Sequence, residues 1–156
     1  MAGALQRELK QGKPFASAHV EAFLNLLRTA DHAHRETGAL LKPYDLTPAQ
    51  YNVLRILQGA GTDGLPCGEI GARMVTHDPD ITRLLDRLEK RQLATRVRSG
   101  EDRRVVVVCI AQAGVELLAA IGPDRLEAFH REQFQHLTSD QLAILIDLLE
   151  AARHRP

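Results

Sequence analysis

Tryptophan is absent from this 156-residue chain, and four phenylalanines and two tyrosines bring the aromatic content to only 4%. A stacking platform for single-stranded nucleic acid is therefore not expected. Cysteine occurs only twice, at Cys67 and Cys109. That excludes a disulfide framework and suits a reducing cytoplasm, where the chain is expected to work. No apolar run approaches the ~18 residues of a membrane span, and residues 1–13 lack the apolar centre of a signal peptide, so no membrane is expected as a partner. The motifs of catalysis are missing too. There is no phosphate-binding glycine loop, nucleophile elbow or dinucleotide fingerprint. Cys67 and His77 are near in sequence, but nothing indicates a base-assisted nucleophile. No enzyme, catalytic residue or cofactor is expected.

Metal ligands are sparse in pattern, though seven histidines occur. His32 and His34 are two apart, on opposing sides of a helix. His130 and His136, six apart, are also badly placed for one face. With no His-Glu-x-x-His and no paired cysteine motif, no metal site is expected. The cysteines read as two small buried hydrophobes. The competing idea is that a helix N-terminus activates Cys67 as a redox sensor; a chain whose behaviour peroxide leaves unchanged removes it.

Net charge is also lacking, since 20 basic residues meet 20 acidic ones. The distribution is less neutral than the sum. Between Ile81 and Arg104 lie eight Lys/Arg and four Asp/Glu, leaving twelve against sixteen elsewhere. A positive patch on a weakly acidic body suits local contact with phosphates.

That patch coincides with the most regular stretch of the chain. Ile81, Leu84, Leu85 and Leu88 recur at helical spacing as one apolar stripe. Thr82, Arg83, Asp86, Arg87 and Lys90 take the opposite face. Asp78 is read as the cap and Pro79 as the first helical residue. The period then changes. Ala94–Ser99 reads as a strand, residues 99–102 as a turn, and Arg103–Ile110 as a strand of mostly β-branched residues. A helix with one basic face followed by a hairpin with arginines at its tip is how a winged helix-turn-helix meets double-stranded DNA.

Upstream, residues 1–14 read as a loose arm with room for some helix. A helix is expected over Phe15–Thr37, with Gly38 as its stop, then a connector containing Pro43. Thr47-Pro48-Ala49-Gln50 is a capping box with proline at the first helical position. Tyr51, Leu54 and Leu57 supply that helix's buried face. Gly59–Gly64 is expected to be a loop, and Cys67–Met74 a short helix. Downstream, a long helical pattern carries Val115, Leu118, Ile121, Leu126 and Phe129, and Gly122-Pro123 should break it. Thr138–Gln141 forms a second capping box, followed by Leu142, Leu145, Ile146 and Leu149.

The stretches LTPAQYNVLRIL (Leu46–Leu57), EIGARM (Glu69–Met74), ITRLLDRLEKRQL (Ile81–Leu93) and DRRVVVVCIAQAG (Asp102–Gly114) resemble the MarR family of bacterial transcription regulators. The likeness runs from about Phe23 to the C-terminus. Four positions depart from the family pattern. Gln92 stands for a glycine, Ala111 for a threonine cap, Pro66 for a Ser or Thr, and Gly122-Pro123 interrupts a helix that is often continuous.

The fold class expected is mainly α with a small β-hairpin wing. Residues 1–14 form a flexible arm, 15–45 an N-terminal dimerisation helix and connector, 46–110 the winged helix-turn-helix, and 111–156 the C-terminal dimerisation helices. Thr82, Arg83 and Arg87 are the candidate major-groove residues, since arginine can hold a guanine edge and threonine a thymine methyl. The bland alternative is a solvated face on which Arg83 and Arg87 merely neutralise Asp86 and Glu89. At the wing the resemblance implies Asp102, Arg103 and Arg104, with Asp102 orienting Arg104 into the minor groove. Arg104→Ala should then weaken operator binding and flatten its salt dependence by about one unit of slope. A homodimer would place two basic helices ~34 Å apart on a pseudo-palindrome. The resemblance further implies a repressor released by a small aromatic or phenolic effector. Two alternatives are a winged helix used for protein–protein assembly and a redox- or metal-responsive regulator.

Overall fold

A computed structural model describes residues 3–98 and 105–154. Among the described residues eight α-helices run α1 (Ala4–Glu8), α2 (Ala18–Leu41), α3 (Pro48–Ala60), α4 (Cys67–Arg73), α5 (Ile81–Lys90), α6 (Gln112–Ile121), α7 (Pro123–Phe134) and α8 (Ser139–Arg153). Three strands, β1 (Leu65–Pro66), β2 (Ala94–Arg98) and β3 (Val106–Ile110), form one antiparallel sheet in the order β1-β3-β2.

The core is built around α3. Both halves of its expected capping box are made: Thr47 Oγ1 accepts from Gln50 N–H at 3.2 Å, and Gln50 Oε1 accepts from Thr47 N–H at 3.0 Å. Pro48 occupies the first turn, where its missing N–H costs nothing. Val53, Leu54 and Leu57 are wholly buried, together with Ile70 of α4 and Leu88 of α5. Leu84 and Leu85 join them. Val53 adds to the face expected from Tyr51, Leu54 and Leu57, and Tyr51 itself is only half-buried.

Several expected boundaries move. α2 begins at Ala18, capped by Ser17, and runs through Gly38 to Leu41. Leu41 is fully buried, so packing beyond the glycine outweighs its poor helix propensity. α3 extends into the expected loop as far as Ala60, followed by a 3-10 turn over Gly61–Asp63. Within the 1–14 arm, α1 buries Leu5. β3 starts at Val106, one residue into the described part of the longer strand expected. β1 was not foreseen; Leu65 pairs with Val108 and Pro66 with Val107.

Two departures from the family pattern have visible consequences. α5 ends in a Schellman turn: Gln92 N–H bonds the Glu89 carbonyl at 2.8 Å and Leu93 N–H the Leu88 carbonyl at 3.0 Å. That turn needs a left-handed residue, and Gln92 takes the role at φ 57°. Ala111 begins α6 with no side-chain cap bond. Ala111→Thr should therefore raise stability by ~0.5–2 kcal/mol in chemical denaturation, and an unchanged midpoint would refute the uncapped geometry. The helix break falls as expected, with α6 ending at Ile121, Gly122 at φ 79° and α7 starting at Pro123.

Candidate nucleic-acid interface

α5 starts two residues later than its sequence suggests. Asp78 Oδ1 accepts the Asp80 N–H at 2.8 Å, tightening the approach, and Asp80 is the residue that caps α5, accepting the Arg83 N–H at 3.3 Å. Asn52 of α3 braces the preceding turn by accepting the Val75 N–H at 2.9 Å. Leu84, Leu85 and Leu88 turn inward. Thr82, Arg83, Arg87 and Lys90 are exposed on the opposite side.

The charges on this face are sorted by partner. Asp86 and Glu89 do not neutralise Arg83 and Arg87, as the bland alternative required. Both acids are taken by Arg96 of β2, whose guanidinium lies 2.6 Å from Asp86 Oδ1 and also bonds Glu89 Oε2. The Arg96 N–H donates to Glu89 Oε1 at 3.2 Å. The Asp86 bond is the largest influence on Arg96 and raises its pKa above the ordinary arginine value; partial burial opposes this, and Glu89 adds to the rise. Arg96 thus stays charged and bolts the wing to α5. Arg83 leans on Asp80 at 3.1 Å with 78% of its side chain exposed, a pair too wet to hold it strongly. Among the described residues Arg87 and Lys90 have no ion-pair partner. The face therefore offers cations that phosphates or base edges can claim at little cost.

Arg96→Met would leave Asp86 and Glu89 adjacent without their cation. The expected loss is about 1 kcal/mol at neutral pH and low salt. It should shrink at high salt, which screens both the attraction in the parent and the repulsion in the variant. A loss independent of salt would show that Arg96 acts through packing alone.

Of the residues expected from sequence, Thr82, Arg83 and Arg87 share one exposed face. Asp102, Arg103 and Arg104 lie outside the described residues. The roles of Arg96, and of Arg91 at the end of α5, were not visible in sequence, because their partners lie on other elements. Cys67 and Cys109 are free thiols, both half-buried. Cys109 Sγ faces the Thr62 carbonyl at 3.7 Å. Among the described residues no three His, Cys, Asp or Glu gather as a metal-binding group, and no helix is long and apolar enough to cross a membrane.

A short helix, a tight turn, an outward basic helix and a three-stranded wing define a winged helix-turn-helix. The MarR family model matches residues 44–105. The uncharacterised HTH-type transcriptional regulator YsmB of Bacillus subtilis is 30% identical over 115 residues, covering 74% of this chain and 77% of its own. The crystal structure of a MarR transcription factor from Planctomyces limnophilus is 38% identical, with a TM-score of 0.65 over 88% of this chain and 99% of that one. The transcriptional repressor CouR, solved bound to a 23-mer DNA duplex, is 25% identical with a TM-score of 0.72 over 91% and 100%. The chain belongs to the MarR family. It is a DNA-binding transcription regulator rather than an enzyme.

Proposed function

We propose that the protein is a repressor that binds a pseudo-palindromic operator as a homodimer, with one α5 from each subunit in successive major grooves. Thr82, Arg83 and Arg87 contact base edges and phosphates there. Asp102, Arg103 and Arg104 are assigned to the wing tip and the adjoining minor groove. Residues 46–110 form the DNA-binding unit, and the helices of 15–45 and 111–156 form the dimer arms.

The observation that carries the dimer is unspent apolar surface. α8 is 15 residues long and has no buried residue. α2, at 24 residues, has only Leu41 buried. Phe23, Leu27, Ile144 and Leu148 are each more than half exposed. Stripes of this length in water cost free energy until something covers them, and a second copy offers a matching pair. CouR, itself a repressor bound to duplex DNA, supports the DNA and repressor parts of the reading. A small aromatic or phenolic effector would release DNA by favouring a spacing of the two α5 helices that misfits the operator.

Fluorescence anisotropy tests this with a duplex from upstream of the protein's own gene. Binding should be tighter than to an unrelated duplex and should fall steeply with salt, each phosphate contact contributing about one unit to the slope. Equal affinity for both duplexes, or no binding at low salt, contradicts it.

A further inference from the structure

Tyr44 is held from two sides by arginines that are far apart in sequence. On one side, Arg91 at the end of α5 reaches the backbone that follows α2. Its guanidinium donates to the carbonyl of Asp45 and, at 3.4 Å, to that of Tyr44, and it lies 3.5 Å from the Asp45 carboxylate. Asp45 is left-handed at φ 53°, and its N–H and that of Leu46 close a turn on the carbonyls of Lys42 and Leu41. Arg91 therefore joins two left-handed corners, Asp45 after α2 and Gln92 after α5. On the other side, Arg125 in the first turn of α7 donates to the Tyr44 hydroxyl at 2.9 Å. Its guanidinium carbon also stands 5.8 Å from the centre of the Tyr44 ring. The hydroxyl in turn donates to the Ala120 carbonyl at 3.5 Å. The ring packs against the buried cluster.

We propose that Tyr44 is a positioning residue that couples the tilt of α7 to the orientation of the C-terminal end of α5, with Arg125 and Arg91 as its two grips. The joint that would allow such tilting is present. Gly122 at φ 79° separates α6 from α7, and Pro123 has no N–H to lose when the angle changes. α7 can thus move about its own hinge, but not without pulling on Tyr44. The pull reaches backbone carbonyls directly, because Arg91 holds those of Tyr44 and Asp45 besides the Asp45 carboxylate. The two left-handed corners leave few alternative conformations to absorb it. In the proposed function, a displaced α5 is a displaced DNA-reading face, and the regulatory meaning of the coupling rests on that reading.

Amide hydrogen exchange of the full chain without DNA tests the coupling directly. In Arg125→Met, exchange at residues 91–93 should rise ~threefold or more, although the substitution lies on α7. Tyr44→Phe keeps the ring but loses the hydroxyl, and should share the effect at smaller size. The amides of α3 and α4 should be unchanged, because Arg125 is exposed and its removal loosens no core. Unchanged exchange at 91–93 in Arg125→Met overturns the proposal, as does a rise spread evenly through α3 and α4. Arg87→Ala, measured alongside, separates the two readings. It should weaken duplex binding by roughly tenfold or more and leave exchange at 91–93 as in the parent. If it binds duplex normally, the DNA-reading assignment fails, while the exchange result still decides the coupling.

Discussion

Replacing Arg87 by alanine should reduce operator affinity by roughly tenfold to a hundredfold per subunit, the range expected when one arginine contact to a base edge is removed. A two-fold complex would carry that loss twice. Stability should stay within about 0.5 kcal/mol of the parent, since Arg87 is exposed and has no ion-pair partner among the described residues. The contrast with Arg83 is informative. Arg83 leans on Asp80 at 3.1 Å in a pair worth little in water, so Arg83→Ala should cost only slightly less. The salt dependence separates base from phosphate contact. If Arg87 touches phosphate, the slope falls by about one and all duplexes weaken together; if it reads a base, specificity falls instead. A titration in which Arg87→Ala binds as tightly as the parent would mean that α5 does not face DNA.

The largest effect on folding is expected from Gly114→Ala. Gly114 lies in the first turn of α6 and is buried. A β-carbon there would stand 2.4 Å from the Leu93 carbonyl oxygen and 2.9 Å from Ile110 Cγ1. The oxygen cannot simply yield, because it accepts the Ala111 N–H at 3.0 Å and belongs to the turn joining α5 to β2. Overpacking of this kind costs ~1–3 kcal/mol, and more when backbone must shift. The melting temperature should fall by roughly 2–4 °C for each kcal/mol lost. The same substitution at Gly38, where a β-carbon meets nothing within 4 Å, should instead be neutral or stabilising. Equal stability of Gly114→Ala and the parent would disprove the close approach of α6 to the turn that ends α5.

Much of this architecture was legible because local chemistry and global packing agree. Thr47-Pro48-Ala49-Gln50 announces α3 with both halves of a capping box, and the Leu84-Leu85-Leu88 stripe announces α5. Gly122-Pro123 announces a break, and one occurs there. Where the reading slipped, two local signals competed or a distant contact decided. Asp78 and Asp80 flank Pro79 and both can cap a helix; the structure uses Asp78 to brace Asp80. Gly38 looked like a stop only because the burial of Leu41 beyond it could not be seen. β1 is too short to show a period, and it exists through its pairing with β3. The Asp86–Arg96–Glu89 bracket and the Arg91 and Arg125 grips on Tyr44 join residues that no spacing rule connects. Sequence therefore located the basic face, while the structure revealed which cations on it are committed and which are free.

The most direct test of the account is the mass of the protein–DNA complex, by native mass spectrometry or sedimentation, on a duplex carrying the protein's own operator. Two chains per duplex are predicted, with the complex weakened by roughly tenfold or more when Arg87 is alanine and the free protein still a dimer. One chain per duplex, or a free protein that remains a monomer at micromolar concentration, would contradict paired recognition helices reading one face of DNA.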